Sequence, residues 1–153
     1  MTTFAPRTEM VEAWGGRLDL RFQVAGSGPN LVYLHPARGM FWDDFLRGLS
    51  DRFTVYAPVF PGTDPMDTLS IHEVDDIFDV VLAYEGALRS LGLEGAPVIG
   101  ASFGGMLAAE LSASFPDLFG RLILLDPAGL WSESAPWDLG FMSAPPETMA
   151  RLL

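Results

Sequence analysis

The chain has 153 residues, 49% hydrophobic and 19% charged, the balance of a single globular domain rather than of a disordered or fibrous chain. Nine basic residues, all Arg, stand against twenty acidic ones for a formal net charge of -11. The absence of Lys removes Schiff-base chemistry, PLP attachment and a P-loop lysine, and the scattered Arg offer no patch for nucleic acid or an anionic membrane. With no Cys, a disulfide framework, a thiol nucleophile and Cys-ligated metal are excluded. No stretch has the length of a signal h-region or a membrane span, so the chain reads as soluble and cytoplasmic.

In chain order, Thr8 to Ala13 and Arg17 to Val24 flank Trp14-Gly15-Gly16. The second run alternates Leu18, Leu20, Phe22 and Val24 with polar residues, which predicts a hairpin with one solvated face. Leu31 to Leu34 is a continuous apolar run, the form of a parallel strand buried on both faces. Asp43 to Leu49 has helical spacing, and Phe53 to Tyr56 is the next strand. Ser70-Ile71-His72-Glu73 has the form of a capping box and predicts the start of a long helix ending near Gly92. Its expected apolar face carries Val74, Ile77, Phe78, Val81, Leu82, Leu88 and Leu91. Pro97 to Ile99 is a strand, Phe103 to Phe115 an Ala-rich helix and Leu122 to Leu125 another strand. Strands alternating with helices predict an α/β protein: a mostly parallel sheet with helices on both faces. After Asp126 the composition shifts to Pro, Trp and Met, so residues 1–126 are expected to form the core and 127–153 an incomplete surface or cap segment.

Gly100-Ala101-Ser102-Phe103-Gly104 fits G-x-S-x-G, between a predicted strand and a predicted helix. A serine on so sharp a turn is held in strained backbone geometry with its hydroxyl above the sheet, and small flanking residues let the turn close. The N–H of Phe103, opening the helix, then points toward the oxygen of a tetrahedral intermediate. Ser102 is the expected nucleophile and Phe103 an oxyanion donor; the plainer alternative is a turn that only joins strand to helix.

With these residues the sequence resembles the α/β-hydrolase family. Leu31-Val32-Tyr33-Leu34-His35-Pro36 is similar to the family's strand-then-His-Gly segment, Ala57 to Thr63 to its proline-glycine loop, and Arg121 to Pro127 to the strand after the nucleophile helix. The resemblance covers roughly Met10 to Trp131 and implies that fold without its last strands. It also implies a second oxyanion donor after the His-Gly pair; Pro36 stands in the Gly position and has no N–H, which moves the role to Ala37, or to Arg38. The family's general base is a His after the last strand, and no His follows Asp126 here. The chain thus reads as the N-terminal half of a hydrolase, inactive alone because a serine hydroxyl needs a base within reach.

Only His35 and His72 exist to replace that base. His35 is expected among the substrate-binding residues with Trp42, Met106 and Trp131; its family counterpart holds the oxyanion loop by hydrogen bonds, and a base role for it is the rival reading. His72 reads as a solvated or capping residue, since a metal site needs at least three converging ligands. Asp126 ends its strand at the Ser102 edge, where the resemblance implies the triad acid in some branches; alternatively it caps the turn at Pro127. Trp42, Phe41, Phe103, Met106, Trp131 and Trp137 are candidates for an apolar acyl pocket or for plain packing.

The expected function is a serine hydrolase of esterase type acting on a small acyl substrate, with no metal or organic cofactor, no nucleic-acid or membrane partner, and self-association through an exposed sheet edge. Hydrolysis of a carbon-carbon bond in a diketone-like substrate and cofactor-free haloperoxidase activity use the same elbow. A non-catalytic ligand-binding or interaction protein that keeps the pocket without the base is the competing class.

Overall fold

In the computed structural model, residues 5–130 and 132–134 are described. Six strands and three α-helices follow in the order β1 (Arg7–Ala13), β2 (Leu18–Ala25), β3 (Asn30–Leu34), α1 (Asp44–Ser50), β4 (Thr54–Pro58), α2 (Ile77–Ser90), β5 (Pro97–Ala101), α3 (Phe103–Ser114) and β6 (Arg121–Leu125). The strands form one sheet in the order β1-β2-β4-β3-β5-β6. The hairpin β1–β2 and the β2–β4 pair are antiparallel, and β4, β3, β5 and β6 run parallel. The hairpin turns through Trp14, Gly15 and Gly16, all at positive φ, with the Arg17 guanidinium 4.0 Å above the Trp14 ring.

The period-2 alternation of β3 splits the core into two layers. Val32 and Leu34 join the larger cluster with Phe22, Tyr84, Leu88, Leu107 and Leu111, which puts α2 and α3 on that face. Leu31 and Tyr33 join Leu46, Val55, Ala57 and Ile99 beneath α1 on the other. The expected α/β fold, a mostly parallel sheet with helices on both faces, is therefore formed. Among the described residues no helix is long and apolar enough to cross a membrane.

One expectation is corrected. Ser70–Glu73 is a separate 3-10 turn, not the first turn of the long helix. The Ser70 hydroxyl accepts from the Gly62 N–H at 2.9 Å instead of capping the chain three residues on. The helix starts at Ile77, capped by Asp76, whose Oδ1 accepts from the N–H groups of Phe78 (2.7 Å) and Asp79 (3.2 Å). An aspartate N-cap satisfies two of the orphan donors directly, so it outcompetes a box that begins six residues upstream. The buried face is also rotated: Val80, Val81, Ala83, Tyr84, Ala87 and Leu88 are buried, while Ile77, Phe78 and Leu82 are exposed. At the other end Gly92 adopts φ +66° and its N–H returns to the Arg89 carbonyl, closing the helix as expected.

Candidate active site

Ser102 occupies a single-residue turn between β5 and α3, with φ 52° and ψ −115°. Such a backbone is sparsely populated for a residue with a Cβ and persists only where surrounding structure fixes it. Three glycines show how. A Cβ on Gly100 would lie 2.7 Å from the Gly105 Cα and 2.8 Å from the Ala108 Cβ, and one on Gly105 would lie 2.8 Å from the Pro127 Cβ. One on Gly104 would overlap the Leu34 carbonyl oxygen and sit 2.6 Å from that of His35. The start of α3 therefore lies against the end of β3, which requires glycine. Ser102 itself is exposed.

The register Ala101↔Leu125 of the β5–β6 pair brings the ends of both strands to one edge. The Ser102 N–H donates to the Leu125 carbonyl at 2.9 Å, and the Ser102 carbonyl accepts from Ala128 at 2.9 Å, so the two turns brace each other around Asp126. Asp126 is exposed, at φ 44°. It directly follows β6, as Ser102 directly follows the neighbouring strand β5.

His35 follows β3 and is 4% exposed. Its Nδ1 lies 2.7 Å from the Pro36 carbonyl, and its Nε2 accepts from the Phe60 N–H at 2.9 Å. That pattern fixes the neutral tautomer with the proton on Nδ1, and burial lowers the pKa below the usual histidine range. Both ring nitrogens are occupied in tying the β3 turn to the β4 loop, so His35 is a positioning residue. With both nitrogens engaged, its ring has no lone pair left for a substrate or for Ser102. Gly39 donates to the Pro36 carbonyl at 3.1 Å, closing a turn that leaves Ala37 and Arg38 exposed. His72 is exposed in the 3-10 turn.

A cleft of 420 Å³ opens beside the elbow, and both Ala37 and Phe103 line it. Phe60 meets Phe103 edge to face, their centroids 4.9 Å apart, and Ile71, Val74, Ile77 and Val80 form the facing wall. Thr63, Asp75 and Asp76 complete its lining. Sequence reasoning missed Phe60 and this wall. Phe60 lies in the loop after β4, at the same sheet edge as Ser102, which is the available signal; Ile77, expected on the core face, is exposed and lines the cleft, while Val74 packs against the core as expected and lines the cleft as well.

Other candidates lie elsewhere. Trp42 packs on the α1 face of the sheet, its Nε1 donating to Gln23 Oε1 at 2.7 Å, and does not line this cleft. Met106, further along α3, lines a different hollow with Pro127, Gly129 and Leu130. Phe41 is exposed, with the Arg38 guanidinium 4.6 Å over its ring. Trp131, Trp137 and most of the expected cap segment lie outside the described residues. No cluster of three or more potential metal ligands exists among the described residues.

Residues 31–153 match the sequence pattern of the alpha/beta hydrolase family. The chain belongs to that family. A relative from Mycobacterium tuberculosis, an uncharacterized protein, is 31% identical over 115 residues, 71% of this chain and 32% of the relative. The 2-hydroxy-6-oxo-6-phenylhexa-2,4-dienoate hydrolase of Comamonas testosteroni is 27% identical over 118 residues, 72% of this chain and 41% of that enzyme. Naproxen esterase from Bacillus subtilis shares the fold with a TM-score of 0.72 at 18% identity, over 95% of this chain and 52% of that one. This α/β-hydrolase chain thus spans between a third and about half the length of the proteins it resembles.

Proposed function

We propose that this α/β-hydrolase chain carries the nucleophile and oxyanion half of a serine hydrolase acting on an ester or similar acyl substrate in the cytoplasm. The observation that carries this reading is the backbone of Ser102, strained at φ 52° between strand and helix while the residue stays exposed beside a cleft lined by Phe103 and Ala37. In the proposed reaction Ser102 Oγ adds to the acyl carbon, its proton passes to a base, and the N–H groups of Phe103 and Ala37 stabilise the oxyanion. Collapse expels the alcohol, and water later releases the acid from the acyl-serine. Asp126 is the proposed triad acid, since its turn is hydrogen-bonded to that of Ser102. No cofactor is needed for these steps.

Neither histidine is the proposed base: His35 has both nitrogens engaged, and His72, exposed in the 70–73 turn, is not among the residues lining the cleft. The 153-residue chain should therefore hydrolyse activated esters only weakly, through oxyanion stabilisation and binding, on the order of a thousandfold over water. A fluorophosphonate probe followed by peptide mass spectrometry, alongside p-nitrophenyl acetate hydrolysis, tests both parts. Slow labelling at Ser102 that vanishes in Ser102→Ala supports the assignment; labelling elsewhere, or rapid turnover lost in Ser102→Ala, refutes the scheme.

A second reading, hydrolysis of a carbon-carbon bond, is favoured by the similarity to the dienoate hydrolase of Comamonas testosteroni. It uses the same Ser102 elbow and is separated from the first by assaying a vinylogous diketone against an ester in the presence of a complementing base.

A further inference from the structure

We infer that the cleft beside Ser102 selects an uncharged, apolar acyl group and rejects an acyl group that carries a carboxylate. The inference rests on reading the cleft as the acyl pocket, and it goes further by assigning the charge of what enters. Its walls are apolar: Phe60 and Phe103 on one side, Ile71, Val74, Ile77 and Val80 on the other. Among the described residues, the polar groups at its lining are Thr63 and two acids, Asp75 and Asp76, with no Arg. The chain has no Lys to supply a cation from a neighbouring position.

Apart from the proposed oxyanion donors, the N–H groups of Phe103 and Ala37, the feature of the cleft that favours an anion is already engaged. The N-terminus of the 14-residue α2 opens onto it, and helix N-termini attract negative charge through their free N–H groups. Here the Asp76 carboxylate takes the N–H groups of Phe78 and Asp79, while Asp79 Oδ2 takes the Asp75 N–H at 2.8 Å. A ligand carboxylate would find these donors spent and would face the exposed carboxylates of Asp75 and Asp76, whose repulsion is strongest at low salt. Arg38, next to Ala37, is the nearest basic residue in sequence to any lining residue on that loop. It has its guanidinium over the Phe41 ring and is not part of the lining.

The test is equilibrium binding, which needs no base and no reaction at Ser102. Monomethyl adipate and methyl 6-amino-6-oxohexanoate differ only in the far end of the acyl chain, the end that enters the cleft, and are titrated calorimetrically into the full chain at low salt near neutral pH. The amide should bind about tenfold tighter than the acid. In Asp75→Asn/Asp76→Asn, which keeps a competent N-cap, the gap should fall to about threefold or less through tighter binding of the acid. Ile77→Trp, at an exposed wall position, should weaken the amide about tenfold by filling the cleft. Equal affinities in the wild type, a gap that survives the double substitution, amide binding indifferent to Ile77→Trp, or no binding of either ligand would each overturn the inference. Failure of Ser102 labelling with the gap intact would instead sink the nucleophile assignment and leave the selectivity standing.

Discussion

The Phe60 N–H donates a 2.9 Å hydrogen bond to the Nε2 of His35, a buried link that joins the turn after β3 to the loop after β4. Two sides of the cleft are thereby held by one imidazole, which must be neutral to accept. Protonation would replace the acceptor by a second donor and place a cation in a site where burial already lowers the pKa. In the unfolded chain the same group has the ordinary pKa near 6.5. The folded pKa is the lower of the two, so His35 contributes its full stability above the unfolded value. That contribution is lost as pH falls from about 6.5 toward the folded pKa, because only the unfolded chain binds the proton there. Urea unfolding of the wild type and His35→Gln between about pH 8 and pH 5 should show the wild-type advantage shrinking on acidification. A constant advantage would mean that the imidazole titrates as in water. His35→Ala should cost about 1–3 kcal/mol near neutrality, since it leaves the Phe60 N–H without its partner.

The elbow makes a second, steric prediction. Gly104→Ala places a methyl against the carbonyl oxygens of Leu34 and His35, both backbone atoms that cannot move without opening the sheet. We expect a loss of about 3 kcal/mol or more in chemical denaturation, with slower labelling of Ser102 as the turn distorts. Gly48→Ala, in exposed α1 with nothing within 4 Å of the added Cβ, should instead stabilise by about 0.5–1 kcal/mol. A similar result for both substitutions would show that Gly104 is not pinned by close approach.

What was legible in the sequence follows from how local each signal is. The G-x-S-x-G turn and the alternation of β2 are set by neighbours in the chain, and both elements appear where the pattern places them. The N-terminus of α2 was misplaced because the residues at 70–73 satisfy a capping pattern whose serine is diverted by a distant partner, the Gly62 N–H. The acyl wall was illegible for the same reason. Ile77 has helical spacing with the core, yet only the packing of α2 against the loop of Phe60 decides that it faces the cleft. Trp42 had the right composition for a pocket, but its partners Gln23 and the α1 layer are fixed by sheet topology, which composition does not encode.

The two candidate caps are separable by experiment. Asp76→Ala should cost about 1 kcal/mol and speed hydrogen exchange at the amides of Phe78 and Asp79, while Asp76→Asn should retain most of the protection. Ser70→Ala should leave those amides unchanged and expose that of Gly62, its actual donor. Faster exchange at the start of α2 in Ser70→Ala would restore the capping-box assignment.

The last prediction concerns β6, which is an edge strand of the sheet among the described residues. Leu122, Ile123 and Leu125 are 41%, 42% and 40% exposed, and Ile123 also borders an apolar hollow with Leu31, Leu49, Phe53 and Ile99 on the α1 face. An apolar edge strand offers its unpaired N–H and C=O groups to another strand. Antiparallel pairing of two copies about Ile123 would bring the Arg121 end of one strand beside the Asp126 end of the other. The charge of -11 on each copy opposes such contact and is screened by salt. Light scattering after size exclusion should therefore show association that rises with protein concentration and with ionic strength. Ile123→Lys, which puts a charge in the strand, should shift the distribution toward monomer at equal concentration. A monomer at every salt and concentration, with a sharp thermal transition, would mean that the edge is already covered within the chain.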